Sequence, residues 1–353
     1  VKIYVAISAL YSGADRLTWR CLAAQTDLDF TVVLMDLGND PELRERAEFF
    51  SKQTGVQVIH VPYRHPPGSR MFDWGMWSSS FLFAENENDF VLRLQSWRLI
   101  SSNCIAYLRQ LGGTTGFQRY QIMRGPEFVD EFINTPVQPV HEQDSVSFGL
   151  YACYGDWFMR VGDYLELNGI DEPLTTLFHF EDLDFECRWR IGVRKNLVIP
   201  GFTSRGQLVY LNHDMRRSIQ EKYSFKASTE KADVTYRKPC PRCQGQWPEL
   251  QAINDPQVAL DSIRNNGGMV DLGRQFGKRW FYCRLCDAPV CHVGSPHFTT
   301  LTYSENEHRA TIGLMKRWGR NLRLAREKAL KLPLESRIKY VSESYGDQEV
   351  LKL

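Results

Sequence analysis

Phe30-Thr-Val-Val-Leu-Met35, running straight into Asp36-Leu-Gly-Asn-Asp40, decides how the N-terminal part of the chain is read. An almost uninterrupted apolar run of this length is what a strand buried on both faces of a parallel sheet needs; a half-exposed strand would alternate. The acidic, glycine-bearing turn ends the strand and opens a helix over Pro41–Thr54. Working outward, Lys2–Ile7 reads as an earlier apolar strand. A Ser/Gly loop from Ser8 to Gly13 follows, then a helix over Arg16–Gln25 with Leu17, Cys21 and Ala24 at helical spacing. Val56–Val61 is a third strand, Arg70–Glu85 a helix and Phe90–Leu94 a fourth strand. Further strands are expected within 114–123, after a helix, and at Ser145–Ala152. Residues 125–144, with their prolines and acids, read as a loop over the site. This alternation predicts a doubly wound α/β layer, with its ligand at the carboxyl ends of the strands.

With 353 residues the chain exceeds one average domain, so two units and a tail are expected, divided as 1–214, 215–300 and 301–353. Its 43% hydrophobic and 24% charged residues are ordinary for a soluble globular protein, which argues against a disordered chain. No apolar run approaches the ~18–20 residues that span a bilayer. The opening residues read as a strand rather than as a leader. Nine cysteines, four of them in two Cys-x-x-Cys pairs, suit a reducing compartment better than a disulfide framework, so a cytoplasmic protein is expected.

A second stretch points to chemistry. Gly155-Asp156-Trp157 and Gly169-Ile170-Asp171-Glu172 lead to Phe180-Glu181-Asp182-Leu183-Asp184, and Cys187-Arg-Trp-Arg-Ile-Gly192 follows. Acids at a helix start, after a glycine-marked turn, supply a carboxylate that can take a proton from a hydroxyl. The helix dipole favours their ionised form, while their mutual repulsion opposes it. On these residues, and on Cys21, Leu22 and Gln25 as a "CL-x-x-Q" pattern before a strand ending in acid, the region 1–214 resembles the GT-A, family-2-like inverting glycosyltransferases. The resemblance implies a mostly parallel Rossmann-like sheet and a nucleotide-sugar donor. It assigns Asp182 as the catalytic base with Glu181 beside it, and Asp184 to capping or orienting the helix. Asp36 matches the first acid of the family's usual pair and implies a contact to the donor nucleoside; the second position is Leu37. Ser8, Asp156 and Trp157 belong to the implied donor set, and His213, after Val209-Tyr-Leu-Asn, is an implied diphosphate contact.

The family's metal-holding Asp-x-Asp is absent. Gln95-Ser96-Trp97 stands there, flanked by Arg93 and Arg98. A leaving diphosphate still needs positive charge, which arginine supplies bidentately. The expectation is therefore metal-independent transfer, or a Mg2+ or Mn2+ bound differently, with Gln95 and Arg98 near the diphosphate and Arg98 favoured over Arg93 because it lies past the strand end.

Residues 215–353 lie beyond the resemblance. Cys240-Pro-Arg-Cys243 and Cys283-Arg-Leu-Cys286, separated by 39 residues, have the spacing of two knuckles that complete a tetrahedral thiolate site. A zinc-ribbon-like module with a structural Zn2+ on Cys240, Cys243, Cys283 and Cys286 is expected. Cys291-His292 lies close enough in sequence to replace a ligand.

Charge divides along the chain. Residues 1–214 hold 19 Lys/Arg against 27 Asp/Glu, and residues 215–340 hold 23 against 12. A basic segment with Trp247, Trp280, Phe281 and Tyr282 interleaved is the composition of a nucleic-acid surface; docking of the two halves by charge is the alternative. The expected partner is DNA carrying hydroxymethylated pyrimidines. Saccharide or lipid-linked acceptors, and a non-catalytic nucleic-acid-binding domain, are the other readings. The basic helix over Lys316–Lys331, with Trp318, Leu322 and Ala325 as its stripe, either joins that surface, docks on the α/β layer or lies on an anionic membrane.

Overall fold

A computed structural model describes residues 1–9, 15–36, 42–62, 80–94, 98–117, 127–136, 140–142, 157–167, 169–170, 181–197, 200–204, 208–210, 243–244, 253–265, 269–275, 278–283, 288–293 and 322–343. The strand expected at Ser145–Ala152 lies outside these residues.

The apolar runs become the centre of an eight-stranded sheet. Its strands are β1 (Ile3–Ala9), β2 (Thr31–Asp36), β3 (Gln57–Pro62), β4 (Phe90–Leu94), β6 (Thr114–Phe117), β7 (Val140–Glu142), β8 (Trp157–Arg160) and β9 (Pro200–Ser204), in the order β3-β2-β1-β4-β8-β6-β9-β7. β3, β2, β1 and β4 are mutually parallel, and β6 pairs in parallel with β9. β8 runs antiparallel between β4 and β6, and β7 is an antiparallel edge on β9. The sheet is therefore mixed and mostly parallel. A short antiparallel pair, β5 (Arg98–Ile100) with β10 (Leu208–Tyr210), stands beside it.

Alternation along the strands divides the core in two. On the first face Ile3, Val5, Ile7, Val32, Leu34, Phe90, Leu92 and Leu94 meet α1 (Asp15–Ala23), α2 (Leu43–Thr54), α3 (Cys104–Leu111) and α4 (Glu127–Asn134). α2 and α3 each end on a left-handed glycine, Gly55 and Gly112, whose N–H returns to Ser51 and Leu108 carbonyls. Gln25, the last residue of the "CL-x-x-Q" pattern, is buried with its amide satisfied at both ends. Its Nε2 donates to the Cys21 carbonyl at 2.9 Å and the Ser101 carbonyl at 2.8 Å, and its Oε1 accepts the Ile105 N–H at 3.0 Å. The pattern thus staples α1 to the start of α3.

On the second face Tyr4, Ala6, Val33, Met35, Ile59, Val61 and Val91 meet Phe81–Ala84, α5 (Val161–Glu166), α6 (Glu181–Arg194), α8 (Leu322–Leu330) and Val341 of α9 (Leu334–Glu343). α7 (Pro256–Asn265) packs on α6 through its own buried Ala259, Leu260 and Ile263. Its N-terminus is capped by Asp255, whose Oδ1 accepts the N–H groups of Gln257 and Val258 at 2.8 and 3.1 Å. Gly169, at φ +62°, turns the chain after α5 where a Cβ would come within 3.0 Å of Leu322 Cδ2 and 3.3 Å of the Tyr164 ring; glycine is required there for both reasons.

Three expectations are corrected, and one open alternative is decided. Residues 127–134 are a helix, not a loop, because Val129, Phe132 and Ile133 share one face and are buried against β5 and α1. Of the helix expected over Arg70–Glu85, residues 70–79 lie outside the described residues, and Phe81–Phe83 form a turn. The doubly wound sheet is interrupted by β8, a strand too short to show a period. Among the alternatives for the basic helix, docking on the α/β layer is what is observed. Leu322, Ala325 and Ala329 enter the second core, Arg326 Nη2 donates to the Ala84 carbonyl at 2.9 Å, and Arg323 pairs with Glu87 at 3.1 Å. Burial pushes the Arg326 guanidinium below its ordinary value, opposed by Glu87 and Asp89.

A separate antiparallel sheet, β11 (Met269–Gln275), β12 (Lys278–Cys283) and β13 (Ala288–Val293), lies in the cysteine-bearing region.

Candidate functional site

The carboxyl ends of β2, β1 and β4 form one edge of the sheet. Ala9 pairs with Asp36, Asp36 with Pro62, and Ile7 with Leu94, so the residues just before the loops lie in a row. Strand order turns at β1, since β2 and β3 extend to one side and β4 to the other. Open α/β sheets present their ligand crevice at such a reversal.

Two expected donor residues lie on this edge. Asp36, the last residue of β2, is 8% exposed, and its Oδ2 is 2.8 Å from His60 Nε2 on β3. Ser8, on β1, is 7% exposed and belongs by alternation to the opposite face. His60 was not expected. The signal was a polar residue in the carboxyl half of an otherwise apolar strand, Val58-Ile59-His60-Val61.

The two arginines that flank residues 95–97 are both buried. Arg98 opens β5, buried, with Leu99 and Ile100 continuing into the first core. Arg93 lies within β4 opposite Ala6, only 1% exposed, on the second face together with Ser8. A guanidinium so removed from water has to be matched by acceptors or negative charge.

Glu181 and Asp182 are the first two residues of α6. The helix is held by its following turns. Phe185 and Trp189 meet the indole of Trp157 edge-on, with ring centroids 5.5 and 4.9 Å away, and Phe185 also meets Tyr164 at 5.5 Å. Trp157 is the first residue of β8; because β8 runs against β4, it lies toward the carboxyl end of β4. Asp182 precedes Phe185 by about 4.5 Å of helix rise. The start of α6 is therefore about one turn from a ring at the carboxyl edge, on the face that carries Ser8 and Arg93. Trp157, a member of the implied donor set, meets the protein's own aromatics and is 0% exposed.

Polar clamps fix the helix as well. Asp184 Oδ2 accepts from Arg188 Nε and Nη2 at 2.9 and 2.7 Å, and Arg188 Nη1 donates to the carbonyls of Leu167 and Gly169, the latter at 2.6 Å. Glu186 Oε1 accepts from Arg190 Nε and Nη2 at 3.0 and 2.7 Å. Asp184 thus ties α6, through Arg188, to the chain that follows α5. Cys187, on the same helix, is an inert thiol: burial, then the neighbouring Glu186 and Asp184, push its pKa far upward.

Gln95, Asp156 and His213 lie outside the described residues, as do Cys240 and Cys286; Cys283 ends β12 and Cys243 is half-buried. Among the described residues no three His, Cys, Asp or Glu gather as a metal site. No described helix is long and apolar enough to cross a membrane.

No family model matches the sequence, and neither does any curated protein. Among solved structures, S. aureus TarS 1-349 in complex with UDP aligns over 100% of this chain and 90% of its own, at 12% identity and a TM-score of 0.42. A further S. aureus TarS structure aligns over 66% of this chain at 15% identity and a TM-score of 0.41; the match spans 41% of that protein's length. The catalytic domain of Drosophila β1,4-galactosyltransferase 7 in complex with xylobiose aligns over 82% of this chain and 92% of its own, at 12% identity and a TM-score of 0.32. At such scores the likeness decides neither fold nor activity.

Proposed function

We propose that this chain is an inverting glycosyltransferase of the GT-A type, moving a sugar from a nucleotide-sugar donor to an acceptor hydroxyl with Asp182 as general base. The reading is supported by the acidic start of α6, a helix packed on Trp157 near the carboxyl end of β4, and by Ser8 and Arg93 on the same face of a mostly parallel sheet. The sequence resemblance in 21–40 and 155–192 supports it independently.

In this reading the acceptor oxygen attacks the anomeric carbon, the bond from that carbon to the diphosphate oxygen breaks, and the nucleoside diphosphate departs. The acceptor proton passes to the Asp182 carboxylate. Asp36, held by His60, serves the nucleoside end of the donor. Charge developing on the diphosphate is met by the buried arginines of β4 and β5, with Gln95, Asp156 and His213 as further donor contacts. Metal-independent transfer follows from the residues at 95–97.

For the acceptor, the excess of Lys and Arg in 215–340 favours a polyanion, and DNA bearing hydroxymethylated pyrimidines offers the required primary hydroxyl once its base leaves the stack. Arg323, Arg326 and Arg337 are engaged with the protein itself, so this charge would come from the segment around the cysteines.

The test is a mass-spectrometric screen of nucleotide sugars against hydroxymethylated DNA, plain DNA and saccharides. Asp182→Asn should retain the native circular-dichroism spectrum and lose roughly 100-fold or more in rate. A fully active Asp182→Asn enzyme would remove the base from this role. A DNA acceptor predicts affinity that falls steeply with salt; a saccharide acceptor predicts almost no salt dependence.

A further inference from the structure

We propose that Arg93, with the indole N–H of Trp157 beside it, is the principal contact for the diphosphate of the donor, ahead of Arg98. The inference rests on the transferase reading and separates the two arginines which that reading assigns to the leaving group.

Register places the two donors side by side. β4 and β8 pair antiparallel through Phe90 with Arg160, Val91 with Met159 and Leu92 with Phe158, and the next step of that ladder brings Arg93 opposite Trp157. On its other side Arg93 pairs with Ala6 of β1, while Trp157 pairs with Gly116 of β6. Arg93 is the penultimate residue of β4 and Trp157 the first of β8, so both lie at the carboxyl end of β4. By alternation both belong with Val91 and Met159 to the second face, which also receives α6. Both are buried.

Trp157 carries an independent mark. Its ring meets Phe185 and Trp189 edge-on, yet its buried Nε1–H has no acceptor among the described residues. Native interiors rarely leave a buried donor open, and one that the chain does not satisfy is completed by a bound ligand or water. An indole nitrogen only donates, so the group it awaits is an acceptor. The neighbouring guanidinium narrows the choice to an anion. With five N–H donors in one plane, a guanidinium can be held by the protein and still meet two phosphate oxygens. Away from water, such donors act on an anion more strongly than they would at the surface.

Arg98 is set apart by the layer it joins. It opens β5, whose Leu99 and Ile100 enter the first core and which packs against α1 and α4 and pairs with β10. α6, whose first turn carries Asp182, packs on the other face of the sheet. As the bond from the anomeric carbon to the diphosphate oxygen breaks, its electron pair stays on that oxygen. The charge that builds there is met on the face to which α6 belongs.

Isothermal titration calorimetry on the full-length chain tests this, with uridine, thymidine, cytidine, guanosine and adenosine diphosphates and the matching nucleosides as probes. Wild type should bind at least one diphosphate more tightly than its nucleoside. That preference is the readout, since a merely structural role would leave it unchanged in folded protein. Arg93→Met should reduce it roughly 10–100-fold, and Trp157→Phe, which removes the N–H and keeps a ring, roughly 10-fold. Arg98→Met should reduce it less than Arg93→Met does. Should Arg93→Met fail to fold, Arg93→Lys takes its place: it keeps the charge, loses the planar fork and should lower the preference in the same direction. Wild type that binds none of the diphosphates overturns the transferase reading and this proposal with it. Wild type that binds one, with Arg98→Met the more damaging change or with the Arg93 or Trp157 variant at wild-type preference, overturns the proposal alone.

Discussion

On one face of the sheet Ile3, Val5, Val32, Leu34 and Leu92 meet helices whose buried positions are almost all Leu, Ile, Val, Phe and Cys. On the other face Tyr4, Ala6, Met35 and Val91 meet a nest of rings, two carboxylate–guanidinium pairs and the buried Arg326. The first face is filled mainly by volume, with the buried Gln25 as a polar exception, and many apolar combinations would fill the rest. The second is specified group by group, since each buried charge finds its partners in one arrangement only. Buried pairs add little net stability, because desolvation offsets their attraction. What they can do is fix a position. Here the position is that of α6, whose first turn carries Glu181 and Asp182. The proposed reactive group thus starts a helix that is clamped just behind it.

This contrast is open to test by substitution. The largest effect is expected at Asp184: replacing it with alanine leaves Arg188 buried without its carboxylate and should cost about 3–5 kcal/mol. Urea denaturation followed by circular dichroism measures it, and a loss below about 1 kcal/mol would erase the distinction between the faces. Next, Leu22→Ala on the first face should cost about 3 kcal/mol through lost burial and a cavity, with a native-like m-value. It should leave donor binding unchanged, whereas the Asp184 variant should weaken it.

The smallest effect concerns the rim of the first face, where Asp27 accepts from Arg109 Nε at 2.7 Å. Burial raises the Asp27 pKa, but the hydrogen bonds from Arg109 and the Asp29 N–H outweigh it, so the net shift is downward. A carboxylate depressed in the folded state stabilises above its unfolded pKa of about 3.9, and the contribution is lost as pH falls through the lower folded value. Asp27→Asn should therefore flatten the acid limb of stability below about pH 4 and change neutral stability by at most about 1 kcal/mol. An unchanged acid limb would show that this pair contributes nothing.

The first face was also the legible one. β1, β2 and β4 lie within a residue or two of where their apolar runs place them, because a strand buried on both sides leaves an unbroken hydrophobic signature. α4 escaped notice because Gly125, Pro126, Pro136 and Pro139 frame it, and a helix of two turns offers only one repeat of its period. β8 escaped because Trp157-Phe-Met-Arg160 passes directly into α5 with no turn residue between them. The charge on α8 left three readings open, a polyanion surface, docking on the α/β layer and an anionic membrane, and the sequence did not choose among them. A buried arginine whose acceptor is a backbone carbonyl leaves no mark in a sequence, and neither does the face a basic helix chooses. At the site, Asp36 stood out as the acid ending a strand, while His60 became visible only through the pairing of β2 with β3.

The bond from Arg326 to the Ala84 carbonyl spans 242 positions of sequence, and this has a consequence for synthesis. A ribosome that has completed Phe81–Ala84 must translate α8 before their cover exists, roughly 10–50 s later at ordinary bacterial speeds. Over that interval the nascent polypeptide leaves a greasy, ring-rich patch uncovered. Chaperone occupancy during translation should peak there and fall when α8 leaves the exit tunnel.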